Sequence, residues 1–210
     1  MFTLWSDFDM NIDRIIIKIE GYLLCKSSFY TINDVLMNEE IELVKGINKL
    51  EGEIDSGIFG ISCLIGMYDK CNTRAIFSPL QAIVNGVTMN LSTLSCYSCY
   101  LDETYRLFSS KKSVRTLVEK GLKTSNLPYS ADEISNMFKI SDFRFNRPIK
   151  ATGNERFNAM AAIGFSFGKQ VFCFPWLSAL RFDGFKNHIE ALLDVLKTHE
   201  KIVVLPVGKE

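Results

Sequence analysis

The sequence carries no excess of charge of either sign: 24 Lys and Arg stand against 24 Asp and Glu in 210 residues. Overall electrostatics therefore makes no case for binding nucleic acid or an anionic membrane. The densest basic cluster, Lys111-Lys112 with Arg115, is read as a solvated helix face. Histidine is nearly absent. The two that occur, His188 and His199, fall on one expected helix about three turns apart, too far to act as a catalytic pair. No apolar run approaches the ~18 residues needed to span a bilayer. The opening Met1-Phe2-Thr3-Leu4-Trp5-Ser6-Asp7-Phe8-Asp9 lacks the basic and apolar regions of a signal peptide, so the expected location is cytoplasmic. Prolines number only five and are scattered, with no linker, repeat or low-complexity tract. With 47% apolar residues, positions 1–210 read as one domain with a substantial core.

Cysteine is not scarce, but it lacks a pattern. The six (25, 63, 71, 96, 99, 173) follow no regular spacing, and Cys96-Tyr97-Ser98-Cys99 is a lone CxxC, half a zinc site or a redox pair. No second CxxC follows and the histidines are remote. The cysteines are therefore read as small buried hydrophobes, with no metal site.

What is present is an alternation of strand and helix signals. Ile15, Ile17 and Ile19 alternate with Ile16, Lys18 and Glu20 as a strand does. A segment over about 43–54 reads as a second strand. Asn85-Gly86 between apolar runs predicts a tight hairpin. Val114, Leu117, Val118 and Leu122 form one helical stripe, and Ser130-Ala131-Asp132-Glu133 is a capping box ahead of Ile134, Met137 and Phe138. A helix after Gly153 is expected to carry Phe157, Met160, Ala161 and Gly164 on one face. Val171-Phe172-Cys173-Phe174 and Ile202-Val203-Val204-Leu205 are continuous apolar runs flanking a long helix with Ile189, Leu192, Leu193 and Leu196 on one side. Such a βαβ unit implies a parallel sheet.

The stretch from Gly52 through Ile54, Gly57, Ile58, Phe59, Gly60, Ile61 and Ser62 has the layout of a phosphate-binding loop: strand, glycine turn, start of a helix. A working loop of this kind ends Gly-Lys-Ser/Thr, the lysine reaching the β/γ-phosphates and the hydroxyl ligating Mg²⁺. Gly60 and Ser62 stand in the flanking positions, but Ile61 stands between them, and an apolar side chain cannot neutralise a triphosphate.

Over roughly residues 12–208 the order of these elements resembles the ATP-binding cassette (ABC) ATPase domain. The Asn85-Gly86 hairpin falls where that family's antiparallel subdomain does. Residues 94–102 followed by Leu107-Phe108 and Ser113-Val114-Arg115 resemble its strand, glutamine loop and entry to the helical subdomain, with Leu101 or Asp102 in the glutamine's place. Ala151-Thr152-Gly153-Asn154-Glu155-Arg156 resembles the signature motif: Thr152, Gly153 and Glu155 fit, and Asn154 replaces the second glycine. Phe174-Pro175-Trp176 stands at the Walker B position without a carboxylate, and Ser178-Ala179-Leu180-Arg181 resembles the D-loop with Arg181 for its aspartate. Gly208 or a neighbour replaces the switch histidine.

The resemblance implies an α/β, P-loop NTPase-like fold of ABC-ATPase type, with a mostly parallel core sheet, an antiparallel β subdomain and a helical subdomain over about 103–165. Phosphoryl transfer on such a fold is positioning and charge stabilisation, and the groups that supply them are missing. The expectation is a pseudo-ATPase with no catalytic residues, ATP not retained in cis. Gly57, Gly60 and Ser62 would be a vestigial loop, Ile58, Phe59 and Ile61 would fill the vacated pocket, and Thr152, Gly153 and Glu155 would stand exposed at a helix N-terminus to act in trans. Partners would be an ABC-type ATPase or a second copy, and a membrane permease docked through 103–122, placing the chain at the inner face of the membrane. The alternative is a nucleotide-independent scaffold. Asp102-Glu103 is read as a solvated carboxylate pair.

Overall fold

A computed structural model describes residues 10–26, 31–53, 58–67, 72–75, 81–102, 105, 107–108 and 111–209, and their side chains except within 20–37, 58–59 and 72–75 and at 181, 186 and 188. The described elements, in order, are strands β1 (Arg14–Lys26), β2 (Thr31–Val44) and β3 (Gly46–Glu51), helix α1 (Ile58–Gly66), strands β4 (Asn72–Ala75), β5 (Gln81–Val84) and β6 (Val87–Asn90), helix α2 (Leu91–Tyr97) and strand β7 (Ser98–Tyr100). Helices α3 (Val114–Ser125), α4 (Ala131–Met137), α5 (Asp142–Phe145) and α6 (Arg156–Ser166) follow, then strand β8 (Val171–Cys173), helix α7 (Ala179–Thr198) and strand β9 (Ile202–Val207).

Two sheets result. One is antiparallel, in the order β2-β1-β5-β6 with β4 also on β1; the other is wholly parallel, in the order β3-β9-β8-β7. In β1, Ile15, Ile17 and Ile19 point inward and are buried, as the alternation predicts. Its partner β2 escapes sequence patterning because Glu39, Glu40 and Glu42 are poor strand formers. Glu40 and Glu42 are met by cross-strand ion pairs, Lys18–Glu40 and Arg14–Glu42, both at 2.7 Å. Asn85 and Gly86, with φ of 49° and 84°, make the predicted turn between β5 and β6. Gly46, at φ 100°, turns the chain from the antiparallel sheet straight into the parallel one, a conformation in which a side chain is strained.

Residues 94–97 correct the expectation of a strand there: they complete α2, with Leu91 and Leu94 buried one turn apart and Ser95 Oγ donating back to Ser92 O at 2.8 Å. On α3 the predicted stripe Val114, Leu117, Val118 and Leu122 is buried. The capping box forms on α4, Ser130 Oγ accepting from Glu133 N and Glu133 Oε2 from Ser130 N. These bonds hold the Glu133 carboxyl below its usual pKa range.

Helix α6 departs from the one-faced reading, for every residue from Phe157 to Ser166 is buried. Its small residues allow this. A Cβ on Gly164 would meet Cys99 Sγ at 2.6 Å on the sheet, and one on Gly121 of α3 would meet the Ser166 carbonyl carbon at 2.8 Å. Helix α7 lays Ile189, Leu192, Leu193 and Leu196 on the same core, closing the βαβ unit with β8 and β9 parallel and adjacent. His199 lies just past its last turn, edge-on to Phe165 with ring centroids 4.9 Å apart.

Among the described residues no helix is long and apolar enough to cross a membrane.

Candidate functional site

In open α/β sheets ligands bind outside the carboxyl ends of the strands, where the strand order reverses. The chain leaves β3 at one edge of the parallel sheet, enters β7 at the other, and returns through β8 to β9 beside β3. The carboxyl ends of all four strands therefore bring together Gly52, Leu101-Asp102, Phe174-Pro175-Trp176 and Val207-Gly208, four segments that the sequence motifs single out separately.

These segments bind one another. Trp176 Nε1 donates to Gly52 O at 3.2 Å, so an indole from the end of β8 reaches the end of β3. It passes over β9: a Cβ on Gly208 would come within 2.9 Å of Trp176 Cζ2 and 3.3 Å of Ala179 N. A histidine at 208 has no room while that indole is in place. The backbone closes the same gap, with Leu177 N donating to Pro206 O at 3.2 Å and Gly208 N to Leu177 O at 2.9 Å. Trp176 is only 9% exposed and packs in the core cluster that holds Ile61, Leu64 and Ile65.

Beside Gly208 the edge stays open, as a cavity of about 490 Å³ lined by Lys49, Glu51, Ala179, Phe182, Asp183, Val207 and Lys209. Helix α1 begins at Ile58, so Gly60 is a residue of its first turn and not a loop glycine. Ile61 is fully buried, while Gly57 and the side chains of Ile58 and Phe59 lie outside the described residues. Ser62 is buried as well, its hydroxyl donating to Phe174 O at 2.5 Å. That bond ties α1 to the end of β8 and holds the hydroxyl in the interior. A Cβ on Gly66 would meet Tyr100 Cβ at 2.8 Å, so α1 lies too close to β7 for any other residue there.

Asp102 corrects the solvated-pair reading. It is 1% exposed at the end of β7, where its carbonyl accepts from Tyr105 N at 2.9 Å; Glu103 lies outside the described residues. A carboxylate thus stands at the carboxyl edge after all, though on β7 and not on β8. Adjacent charges in sequence concealed it, because such pairs are usually solvated.

The signature-like segment is only partly exposed. Thr152 is buried and its hydroxyl donates to Ile149 O at 2.6 Å, contrary to the expected exposure; the β-branched side chain is turned into the 3₁₀ turn that precedes it. Gly153 is exposed at φ 57°. Glu155 is half-buried, Oε1 paired with Arg144 at 2.8 Å and Oε2 accepting from both Ser141 N and Ser141 Oγ. Asn154 also bonds Arg144. Leu180, at the D-loop-like position, is 84% exposed at the start of α7.

Cys99 and Cys173 are free and buried, and burial pushes the Cys99 thiol up to about 12 and that of Cys173 well above its ordinary value. Two other cysteines depart from the buried-hydrophobe reading: Cys96 is exposed on α2, and Cys63 is disulfide-bonded. Cys96 and Cys99 are split between helix surface and sheet interior. Among the described residues no three His, Cys, Asp or Glu side chains converge as metal ligands.

No family model and no curated protein matches the sequence. Solved structures do. The chain is similar to a putative ABC transporter ATP-binding protein from Pyrococcus furiosus, at TM-score 0.61 and 14% identity over 94% of this chain and 92% of that one. It is similar to a dimeric ATP-binding cassette in a post-hydrolysis state with ADP and Pi, at 0.60 and 12% over 93% and 88%. It is also similar to a bacterial Atm1-family ABC exporter with ATP bound, at 0.61 and 10% over 96% of this chain and 35% of that one. The fold is that of the ABC ATPase cassette: a parallel sheet and an antiparallel sheet with helices packed around them.

Proposed function

We propose that this chain is a non-catalytic ABC-ATPase-like subunit of an ABC-type transport system, working beside an active nucleotide-binding domain or a second copy of itself and docking a membrane permease through 103–122. The observation that carries this reading is that Trp176 caps β3 and β9 and that an apolar, buried Ile61 stands at the lysine's position, so the cavity of about 490 Å³ that remains at this edge, lined by Lys49, Asp183, Gly208 and Lys209 among others, is not backed by a working loop. The groups at that edge do not suit a Mg²⁺–triphosphate. Ser62 is fully buried, no carboxylate ends β8, and a Cβ at residue 208 would meet Trp176 at 2.9 Å. Losing even one electrostatic donor from a transfer site costs about 10²–10³ in rate. Helix α6, entered through exposed Gly153, is what remains to meet a partner's nucleotide.

A nucleotide-independent scaffold is the second reading, favoured by the way this segment spends its polar groups on its own fold: Thr152 on Ile149, Glu155 on Arg144 and Ser141. The test uses the purified chain alone and in complex with a co-purifying intact ATPase. Alone, it should show no Mg²⁺-dependent ATP hydrolysis; hydrolysis that disappears with Ser62→Ala would overturn the pseudo-ATPase reading. In the complex, Gly153→Val should reduce the partner's turnover. The αL conformation costs a side chain about 1–2 kcal/mol, so folding of the variant is checked by its melt. Unchanged turnover with a folded variant selects the scaffold.

A further inference from the structure

The fold brings two basic segments, distant in sequence, onto one surface. Val114 N donates to Arg147 O at 2.9 Å and Arg115 Nε to Asn146 Oδ1 at 3.1 Å, which sets residues 111–115 beside the turn that follows α5. Residues 139–156 hold five basic side chains against two acidic ones. Of the acids, Glu155 is paired with Arg144 at 2.8 Å, and Asp142 sits in the first turn of α5. On the other segment, Arg115 is paired with Asp132 at 2.7 Å. Lys111, Lys139, Arg147 and Lys150 are exposed. Phe143 projects from α5, 68% exposed, with the Arg147 guanidinium 4.7 Å from its ring centroid.

We propose that this face is a docking surface for an anionic phospholipid bilayer, in which Phe143 enters the headgroup region while Lys111, Arg147 and Lys150 meet lipid phosphates. The charge complementarity is local. The chain is neutral overall, so any anionic partner is met by this patch and not by the net charge. A protruding aromatic beside a guanidinium suits an interface with an apolar side and a charged side, and such an anchor needs both signals together. An acidic protein partner would match the cations but leave Phe143 in water unless it brought a pocket of its own. Lys111 lies within the 103–122 segment given above to a permease, so lipid would be met beside that contact; nothing here requires nucleotide, a second subunit or the permease itself, and its failure leaves the proposed subunit role standing.

The experiment is sedimentation of the full chain with large unilamellar vesicles of phosphatidylserine and phosphatidylcholine, compared with phosphatidylcholine alone, at low and high salt. Binding to the anionic vesicles only, weakened by salt, is expected. Lys111→Ala and Lys150→Ala should each reduce the partition coefficient about fivefold. Phe143→Ser should reduce it roughly tenfold through lost apolar contact. Lys197→Ala, exposed on α7, should leave it unchanged. All four side chains are exposed, and melts verify folding. Equal binding to both vesicle types, no binding to either, or full binding by the Lys111 and Lys150 variants would overturn the proposal. So would the absence of vesicle binding combined with capture by polyglutamate or single-stranded DNA that these variants abolish.

Discussion

Replacing Trp176 with alanine tests whether the carboxyl edge is closed by packing. The indole is almost fully buried, donates to Gly52 O, and lies against Gly208 and the start of α7. Truncating a buried aromatic costs about 3–5 kcal/mol, and stranding the Gly52 carbonyl adds about 1 kcal/mol. In a domain of this size each kcal/mol moves the midpoint about 2–4 °C, so Trp176→Ala should melt roughly 8–24 °C lower. Trp176→Phe keeps most of the buried area and loses only the N–H donor, for a loss of about 1 kcal/mol and a few degrees. Thermal and urea unfolding followed by circular dichroism would measure both. A Trp176→Ala protein melting within about 2 °C of the parent would refute the packing argument, being under 1 kcal/mol. Melts with added Mg²⁺ and ATP supply a second readout, and neither protein should shift. A nucleotide-induced rise confined to Trp176→Ala would mean that the indole plugs a competent loop and that Ile61 does not disable it.

Gly208→Ala should destabilise by about 1–3 kcal/mol, since its Cβ would press on Trp176. Most of that loss should vanish in the Trp176→Ala background, and additive losses in a double-mutant cycle would contradict the coupling. His199 gives a pH signature. Burial, then Lys201, lowers its pKa in the folded state. The unfolded chain therefore binds the proton more readily, so stability is fully present above the ordinary histidine pKa of about 6.5 and is lost as pH falls through the lowered folded value. Denaturant midpoints between pH 8 and pH 5 should fall more steeply for the parent than for His199→Gln; parallel profiles would exclude His199 as the source.

Elements whose burial follows one local period were legible in the sequence. Ile15, Ile17 and Ile19 announce β1, and Val114, Leu117, Val118 and Leu122 announce α3. Asn85-Gly86 is one of few pairs that accept two consecutive positive φ values, and Ser130 with Glu133 caps its helix using bonds spanning three residues. β2 was illegible because its acidic face is rescued only by Lys18 and Arg14 on another strand. Helix α6 misled because its second buried face exists only once α3 and Cys99 press against it.

The sequence by itself determined what is missing from the loop and the strand ends: a lysine between Gly60 and Ser62, a carboxylate after Phe174, a histidine near Gly208. Chain order and residue identity suffice for that, since which residue holds each position is fixed along the chain before any neighbour arrives. Only the tertiary structure decided what stands there instead. Trp176 and Gly52 are 124 positions apart, and their hydrogen bond arises because β9 is inserted between β3 and β8. The burial of Asp102, the inward turn of Thr152 and the meeting of Lys111 with Arg147 have the same origin. Each depends on which strand or helix arrives beside it, and local sequence carries no record of a neighbour that distant.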